Sequence, residues 1–454
     1  MKKYDVIVIG SGSGMNVVDE ALRKKLKVAL IEKGPLGGTC LNVGCIPSKM
    51  LVYPADRIME IKEAKKLGIK AAITNIDFKK IMQRMHKVVN EGREQMKKEI
   101  KNIKKLDFYT EEGKFTDEYT LEVEGKKIKG NKIFIACGAR PFIPPIKGID
   151  KIDYYTNENI LNIEKPPKEM IIIGGGYISV EYAHFFSAVG TKITILQSDK
   201  MLVPHLEPEI AGLLEKELKK RTEIRTGTKA VEVKKEGKHY LVTGEKKSGK
   251  KKSFKTEKIM VATGRKPNTD ILQIKNTGVK TDEKGFIKTN KYLETNKKNI
   301  WAFGDVTGKQ MFTHVANKEA EIAWKNASSK RKEKMDYSAI PFAVFTWPQI
   351  ASVGITEKEA EEKYDNIITG KAYYSDIAKG DAMVEKKGFA KAMATKTNKL
   401  LGFHVIGPHA PILIQEVTNS IATKSLKPIS KGLHIHPALT ELITATLNNI
   451  QTKQ

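Results

Sequence analysis

The chain has 454 residues, of which 40% are apolar and 29% are charged, and its formal net charge is +27. An apolar share of this size supports packed cores and excludes wholesale disorder. The length predicts roughly two to four domains. No run of 18 apolar residues occurs, which excludes an ordinary transmembrane helix, and the short apolar run near Met1 does not resemble a signal peptide. We therefore expect a cytoplasmic protein without a membrane partner.

The positive charge comes almost entirely from lysine, because only nine of the 80 basic residues are arginine. The densest stretch, 234–258, also carries Gly and Ser and few aromatic residues, which predicts an exposed hairpin and not a platform for stacking bases. A polyanionic partner such as nucleic acid is the alternative. We favour a lysine-rich solvated surface.

The first elements form a strand, a Gly-rich turn, a helix and a second strand that ends in an acid. They occupy residues 4–10, Gly10-Ser11-Gly12-Ser13-Gly14, about 16–24, and 27–31 followed by Glu32. Glycines let the backbone approach a pyrophosphate, a helix N-terminus offers free N–H groups, and a carboxylate accepts from a ribose hydroxyl. The pattern predicts a dinucleotide site. Met15 stands where a third small residue is usual, and we expect Gly14 to compensate.

Two cysteines, Cys40 and Cys45, lie five positions apart in a chain that has only three. A regular helix advances about 7.5 Å over five residues, so a disulfide between them requires a distorted turn, which Gly44 permits. Pro47 favours a helix whose N-terminus lies near Cys45 and stabilises a thiolate. Without a second cysteine pair a zinc site is disfavoured. A redox pair is the favoured interpretation, and two buried free thiols are the alternative.

A second Gly-rich turn, Gly174-Gly175-Gly176, again joins a strand to a helix, and the next strand ends at Gln197. Two such turns in one chain predict two nucleotide ligands, one held permanently and one exchanging.

Two similar segments follow these lobes, and each is an apolar strand that ends in a glycine turn and a proline. They are Ile133 to Pro141, with Cys137 and Gly138, and Ile259 to Pro267, with Gly264 and Arg265. Each closes one nucleotide-binding lobe, because proline cannot continue the strand. A further strand leads to Gly304-Asp305, and the pattern from about residue 335 predicts an α+β domain.

The block GGTCLNVGCIPSK, together with the first turn and Glu32, resembles the FAD-dependent pyridine nucleotide–disulfide oxidoreductases, and the resemblance extends from Tyr4 to about Leu447. It implies an α/β fold with two Rossmann-type domains, for FAD and NAD(P), and a C-terminal α+β dimerisation domain. The implied boundaries are 1–146 for the first part of the FAD domain, 147–266 for the NAD(P) domain, 267–334 for the second FAD part and 335–454 for the dimerisation domain.

The resemblance also implies roles for individual residues. For non-covalent FAD, one per subunit, these are Gly10, Gly12, Gly14, Glu32, Gly38, Thr39, Gly138, Gly304 and Asp305. For NAD(P)H, an exchanging co-substrate, they are Gly174, Gly176, Gln197, Gly264 and Arg265. The catalytic set is Cys40, Cys45, Lys49, Glu181, His436 and Glu441.

In the implied mechanism the nicotinamide reduces FAD, and FAD reduces the Cys40–Cys45 disulfide. Cys45 is the flavin-facing thiolate, and Cys40 exchanges with a small dithiol or disulfide. His436, oriented by Glu441, carries the proton and reaches the other subunit's site, so the resemblance implies a homodimer. His434 and Cys137 are expected to be structural.

The substrate class is inferred by excluding other classes within the family. The expected activity is of the dihydrolipoamide dehydrogenase type, with a lipoyl-bearing protein as a candidate partner. The alternative is an NADPH-dependent reductase of a low-molecular-weight disulfide, similar to mycothione reductases. A thiol pair of the mercuric-reductase kind is absent from residues 448–454. Gln197, with Lys200 close by, favours NADPH slightly, because an acid at position 197 would hold the NAD ribose. Tyr177 points the same way, since it resembles the nicotinamide-gating tyrosine of the glutathione-type reductases.

Overall fold

The structure is a computed structural model that describes residues 1–397 and 399–452. The chain divides into two compact units, each assembled from three segments. Unit 1 contains Met1–Ser48, Met82–Phe142 and Gly264–Asp336, and unit 2 contains Lys49–Ile81, Ile143–Thr263 and Tyr337–Gln454. The divisions fall inside two long helices, after Ser48 and after Ile81.

The strands, in chain order, are β1 (Lys2–Ile9), β2 (Val28–Ile31), β3 (Leu106–Tyr109), β4 (Lys114–Asp117), β5 (Thr120–Val123), β6 (Lys126–Ile135), β7 (Ala139–Pro141), β8 (Glu169–Ile173), β9 (Lys192–Leu196), β10 (Thr222–Arg225), β11 (Thr228–Glu236), β12 (His239–Lys246), β13 (Lys251–Thr256), β14 (Lys258–Val261), β15 (Arg265–Pro267), β16 (Ile300–Ala302), β17 (Pro341–Val344), β18 (Ile350–Gly354), β19 (Ile367–Tyr373), β20 (Phe389–Thr395), β21 (Leu400–Ile406) and β22 (Gln451–Thr452). The α-helices are α1 (Gly14–Arg23), α2 (Gly38–Val43), α3 (Cys45–Glu63), α4 (Phe78–Ile100), α5 (Tyr177–Ala188), α6 (Pro208–Leu218), α7 (Thr313–Ser328), α8 (Glu357–Lys363), α9 (Ala378–Ala382), α10 (Ala410–Ala422), α11 (Lys427–Lys431) and α12 (Glu441–Asn448).

Unit 1 is built on a sheet of order β3-β2-β1-β6-β5-β4, with β16 also paired to β6. Strand β1 pairs in parallel with both β2 and β6, so Val6 lies between Val28 and Lys132. The run from Val6 to Ile9 is completely or almost completely buried, as expected for a central parallel strand with both faces covered. Strands β7 and β15 form a separate antiparallel pair.

Unit 2 contains a parallel sheet of order β10-β9-β8-β14, an antiparallel sheet β11-β12-β13, and a larger antiparallel sheet of order β17-β18-β21-β20-β19-β22. The sheet of unit 1 is parallel from β3 to β6 and antiparallel from β6 to β4. In this sheet and in the parallel sheet of unit 2, a glycine turn follows the carboxyl end of a central parallel strand, β1 or β8, which is where ligands bind in open α/β sheets. The fold class is therefore the predicted one, with nucleotide-binding α/β elements and a C-terminal antiparallel sheet packed against helices. The lysine-rich segment forms a hairpin, β12 and β13, to which β11 adds a third strand. Within the described residues, no helix combines the length and the apolarity that crossing a bilayer requires.

A buried lysine links α6 and α8 to the C-terminal sheet within unit 2. Lys391 on β20 is 6% exposed, and its ammonium group lies 2.7 Å from Glu207, 2.6 Å from Glu209 and 2.6 Å from Glu357. These three carboxylates are close enough together to hold a metal ion, but the ammonium group already binds all of them. Burial opposes the charge on Lys391, but its hydrogen bonds to the glutamates outweigh burial and raise its pKa above the usual lysine value.

We predict that Lys391→Met lowers the free energy of unfolding by about 3–5 kcal/mol, because it leaves the buried carboxylate of Glu207 without its counter-ion. The pKa of Lys391 is raised in the folded state. The stability that protonated Lys391 contributes is therefore fully present below the ordinary lysine pKa, and it is lost only as the pH rises through the folded-state pKa. Urea denaturation at pH 7 measures the loss. The control is Lys396→Met, because Lys396 is exposed in the turn that directly follows β20. Equal denaturation midpoints for the two variants would contradict this account.

Candidate functional site

Side chains are sterically excluded from the first glycine turn, so a ligand can approach its backbone closely. Gly10 has φ +104°, and a Cβ there would lie 2.2 Å from the carbonyl oxygen of Ala136. A Cβ on Gly38 would lie 2.8 Å from the Cα of Gly12, so two glycine backbones face each other. A Cβ on Gly14 would approach the side chain of Val8 to 2.9 Å. Gly14 is therefore the glycine of close helix–strand approach, as expected from the substitution at position 15.

The carboxylate of Glu32 lies at the edge of this turn. It accepts hydrogen bonds from the backbone N–H and the hydroxyl of Ser11, at 2.9 and 2.8 Å, and from the backbone N–H of Gly34 at 2.9 Å. Ser13 precedes α1 and does not cap it with its side chain. The first backbone N–H groups of α1 are therefore not satisfied by a capping side chain, an arrangement that suits an anionic ligand.

The second glycine turn repeats the hydrogen bonds of the first. Gly10 donates to the last residue of β2 at 2.8 Å, and Ala136 donates to the last residue of β1 at 2.8 Å. Gly174 and Ala262 make the corresponding bonds at the same distances, and Gly174 has φ +107°. The two similar segments found in the sequence are thus the strands β6 and β14 that support the two turns.

Gln197, at the end of β9, is buried beneath the second turn. A Cβ on Gly175 would meet its side chain at 2.9 Å, and its amide donates to the carboxylate of Asp199 at 3.1 Å. Gly176 has open space at its Cβ position and provides no side-chain cap for α5. Tyr177 follows at the first position of α5, and burial raises its pKa to about 12.

The two cysteines lie on consecutive helices in unit 1. Cys40 is on α2, Cys45 is the first residue of α3, and Gly44 between them takes φ −129° and ψ −114°. A Cβ at Gly44 would lie 2.8 Å from the carbonyl oxygen of Thr39, so the distorted turn predicted from the spacing needs glycine.

Both cysteines are free thiols in the structure; Cys40 is half-buried and Cys45 is exposed. The hydrogen bond to Cys45, and then burial, raise the pKa of Cys40 well above its usual value. The helix N-terminus favours the negative charge on Cys45. The hydroxyl of Thr313, the first residue of α7, lies 3.5 Å from the sulfur of Cys45.

Lys49 and Glu181 form an ion pair within unit 2. Their side chains are 36% and 9% exposed, and Lys49 Nζ lies 2.7 Å from the carboxylate. The other carboxylate oxygen accepts from the backbone N–H of Phe345 at 3.0 Å, and Lys49 Nζ lies 4.5 Å from the centre of the Phe345 ring. Lys49 follows Cys45 by one turn of α3.

His436 and Glu441 also pair as predicted. The distance from His436 Nδ1 to the Glu441 carboxylate is 2.9 Å, and the second oxygen accepts from the backbone N–H of Ala438 at 3.0 Å. The hydrogen bond from His436 is the main cause that lowers the pKa of Glu441. The His436 side chain is 72% exposed, which leaves Nε2 available for proton transfer. His434 instead contacts Glu416 at 3.0 Å.

A further cluster of interacting residues, in unit 1, contains Gly304 and Asp305. The backbone N–H of Gly304 donates to Glu319 at 2.7 Å. Asp305 lies 3.2 Å from the guanidinium of Arg265, and burial raises the pKa of Asp305 against the opposing effect of that arginine. The sequence assigned Arg265 to the nicotinamide nucleotide, whereas the structure engages its guanidinium with Asp305, a residue assigned to FAD, and with the carbonyl of Ala139.

Two of the predicted glycines, Gly138 and Gly264, follow β6 and β14. Both have positive φ, +66° and +113°, and open space at the Cβ position. Cys137, beside Gly138, packs against the core of unit 1, and burial raises its pKa to about 12.

The sequence did not single out Thr313, which approaches Cys45 from 268 positions away, or Phe345, which binds Glu181 from 164 positions away. Neither lies in a motif with a recognisable spacing. The available signals were only a helix start at Thr313 and an aromatic residue before Thr346-Trp347-Pro348.

The chain matches two family descriptions in sequence. Residues 4–320 match "Pyridine nucleotide-disulphide oxidoreductase", and residues 340–447 match the dimerisation domain of the same name.

Among curated proteins, the chain is 34% identical to a mercuric reductase from Lysinibacillus sphaericus, over 90% of this chain and 75% of that protein. It is 33% identical to a dihydrolipoyl dehydrogenase from Synechocystis sp., over 97% of both chains. It is 31% identical to a mycothione reductase from Mycobacterium tuberculosis, over 98% of this chain and 99% of that one.

Among solved structures, the chain superposes on the HOCl-induced flavoprotein disulfide reductase RclA from Escherichia coli with a TM-score of 0.86, 28% identity and coverage of 98% and 99%. A Cu(II) complex of RclA gives a TM-score of 0.87 at 27% identity, with 99% of both chains covered. From the two sequence matches, the relatives and the fold, we conclude that the chain belongs to the pyridine nucleotide-disulphide oxidoreductases.

Proposed function

We propose that this protein transfers electrons from NAD(P)H, through FAD and the Cys40–Cys45 pair, to a small disulfide, and that the reverse reaction oxidises a small dithiol. The observation that carries the proposal is the arrangement of the two thiols. Cys45 is the first residue of α3, where the helix N-terminus favours a thiolate, and the thiol of Cys40 is hydrogen-bonded to it. Two thiols in direct contact, one of them favoured as the thiolate, are what an exchange through a mixed disulfide needs.

The glycine turn of unit 1 supports FAD as the resident cofactor. Gly10, Gly12 and Gly38 form a close-packed backbone turn, in which a Cβ on Gly10 or Gly38 would overlap the backbone of Ala136 or Gly12, and we assign this turn to the pyrophosphate. Glu32 would hold the adenosine ribose, and Asp305 would lie by the ribityl and pyrophosphate region. The flavin, when bound, supplies two-electron transfer between the nicotinamide and the disulfide.

The turn of unit 2 supports the nicotinamide nucleotide as the exchanging ligand. Gly174 and Gly176 leave the N-terminus of α5 free for a pyrophosphate. Gln197 is neutral and buried, so the position that an acid would need to hold the NAD ribose carries no charge. Beyond it lie the exposed Lys200, which favours a 2′-phosphate, and Asp199, which opposes one and accepts from Gln197 at 3.1 Å. The neutral Gln197 together with Lys200 favours NADPH slightly over NADH.

Reduction of a disulfide RSSR then proceeds by two exchanges. Cys40 loses its proton, attacks one sulfur of RSSR and releases one thiolate, which forms a mixed disulfide on Cys40. The thiolate of Cys45 attacks the Cys40 sulfur, releases the second thiolate and restores the Cys40–Cys45 bond. The released thiolates take up two protons, so RSSR, NAD(P)H and one proton give two thiols and NAD(P)⁺.

The proton on Cys40 needs an acceptor, and we assign this role to His436 of the partner subunit. Glu441 holds Nδ1 at 2.9 Å, which fixes the orientation of the ring and leaves Nε2 to move the proton. The dimerisation domain at residues 340–447 supports the homodimer that this role requires.

Two substrate classes remain, and we place the dihydrolipoamide dehydrogenase type first. The dihydrolipoyl dehydrogenase relative matches end to end at 33% identity, and a lipoyl-bearing protein is the implied partner. The mycothione reductase relative matches equally completely at 31%. The preference for NADPH supports this second class, an NADPH-dependent reductase of a low-molecular-weight disulfide.

A metal ion is a further candidate electron acceptor. Mercuric reductases are among the relatives, and RclA has been solved with Cu(II). A pair of thiolates is a suitable ligand set for soft metal ions.

The proposal is tested by anaerobic titration of the purified protein with NADPH and NADH, followed by turnover. We expect the flavin to bleach with either nucleotide, with a higher kcat/KM for NADPH. The turnover panel contains lipoamide, mycothione disulfide, glutathione disulfide, coenzyme A disulfide, Cu(II) and Hg(II). Turnover of the disulfides is the expected result. A protein that purifies colourless, or that reduces only the metal ions, would contradict the proposal.

For His436→Ala we predict normal reduction by the nicotinamide but dithiol exchange slower by about 100-fold, the usual loss for a general acid–base group. Stopped-flow absorbance separates the two half-reactions. His434→Ala is the matched control, because His434 lies two residues away and pairs with a different carboxylate. Equal slowing in both variants would indicate a disturbed loop and would remove the assigned role.

A further inference from the structure

A buried polar triad in unit 2, formed by Asp56, His184 and Arg221, has no role in the mechanism above. His184 on α5 is completely buried and Asp56 on α3 is 5% exposed. His184 Nε2 lies 2.8 Å from Asp56, and Nδ1 lies 2.7 Å from the guanidinium of Arg221. Such a connected set of buried polar groups is costly unless every member is satisfied.

The contacts of His184 determine where its proton lies. Arginine can only donate hydrogen bonds, so Nδ1 must accept and carries no proton. Nε2 therefore carries the proton and donates it to Asp56. Burial, opposed by the hydrogen bond to Asp56, lowers the pKa of His184 to about 4. The imidazole is thus neutral at physiological pH, and it joins a cation to an anion without titrating.

The triad acts on the helix that carries the redox chemistry. Cys45, Lys49, Asp56 and Glu63 are spaced by four, seven and seven residues along α3, which places them in one stripe. Two of them bind α5, since Lys49 pairs with Glu181 and Asp56 with His184.

Pro54 lies between these two anchoring points on α3. Its ring removes one backbone hydrogen bond from the helix interior. The segment that carries Lys49 and the segment that carries Asp56 are therefore less firmly joined through the helix itself, and each depends more on its contact with α5.

The segment that follows β17 also contacts α3, through the carboxylates of Glu63 and Asp56. Trp347 Nε1 donates to Glu63 at 2.7 Å, and the amide of Gln349 lies 3.5 Å from Asp56. Arg221 donates to the carbonyl of Trp347 at 3.2 Å. The triad therefore joins α3, α5 and this segment at one point.

We propose that Asp56, His184 and Arg221 are positioning residues that hold α3 against α5 and so keep the ammonium group of Lys49 on Glu181 and away from Cys45. The inference rests on the proposed function. Lys49 is four residues from Cys45 on one helix, a spacing at which side chains can meet. If the contact between Asp56 and His184 is lost, α3 keeps the contact of Lys49 with Glu181 and that of Lys62 with the carbonyl of Ala188 but loses the buried contact between them. Lys49 is then released, and its positive charge stabilises the thiolate of Cys45.

The test compares His184→Leu with Glu181→Gln, which removes the partner of Lys49 directly. Each protein, with its flavin, is reduced by one equivalent of dithionite, and the long-wavelength absorbance due to the Cys45 thiolate is titrated with pH. Cys40, which is hydrogen-bonded to Cys45, and Thr313, whose hydroxyl lies 3.5 Å from its sulfur, also influence this titration in every variant. We expect the midpoint to fall in both variants by about half a unit to one unit, and Asp56→Asn to shift in the same direction.

Two further variants separate positioning from folding. The side chain in His184→Gln keeps a donor for Asp56 and an acceptor for Arg221, so this variant should have the same midpoint as the wild type. His404→Leu removes another buried histidine of unit 2, one whose Nε2 lies 3.1 Å from the carbonyl of Ile355, and should lower stability without moving the midpoint.

An unchanged midpoint in His184→Leu, or one shifted equally in His404→Leu, would overturn the proposal. So would an unchanged midpoint in Glu181→Gln, because Lys49 would then have no effect on the thiol. If the protein purifies without flavin, it is the proposed function that fails. The same comparison is then read from the pH dependence of Cys45 alkylation, mapped by mass spectrometry.

Discussion

The ion pair between Lys49 and Glu181 is the interaction on which the arrangement of the redox helix depends. The carboxylate of Glu181 is largely buried, and a buried charge is costly unless it is paired. Glu181 satisfies Lys49 with one oxygen and the backbone of Phe345 with the other. A single carboxylate thus fixes α3 and the segment after β17 relative to α5, and Cys45 begins the helix that is held in this way.

Two glycine turns of the same design, one in each unit, are the elements that we assign to the two nucleotides. Each has a glycine at the end of a central strand, with positive φ, and a neighbouring strand whose carbonyl would clash with any Cβ. The repetition extends to the backbone hydrogen bonds, which have equal lengths in the two lobes. Steric exclusion of side chains, and not a special side chain, is what makes both turns suitable for a pyrophosphate.

The parts of the site that the sequence revealed are those formed by contiguous residues. The first glycine turn, the Cys40–Cys45 spacing and the pair His436–Glu441 each lie within a few positions, so local geometry limits what they can do. The alternation of apolar strands and glycine turns predicted nucleotide-binding α/β lobes, and the family resemblance implied the complete fold class. By contrast, Asp56 and His184 are 128 residues apart, and each alone looks like an ordinary polar residue on a helix. Lys391 was hidden for a different reason, because a chain so rich in lysine gives no sign of which one is buried. The contact between Arg265 and Asp305 could not be predicted from the sequence, because the two residues are distant in the chain. The strand pair β7–β15 and the turn at Gly304 bring them together.

The central claim is that Cys45 carries the thiolate that faces the flavin and that Cys40 carries the exchanging thiol. The most direct test is the long-wavelength absorbance of Cys40→Ser and Cys45→Ser at neutral pH. The account predicts that Cys40→Ser keeps this band, because the thiolate at the start of α3 remains, and that Cys45→Ser lacks it. A band that survives in Cys45→Ser and disappears in Cys40→Ser would contradict the assignment of the two cysteines.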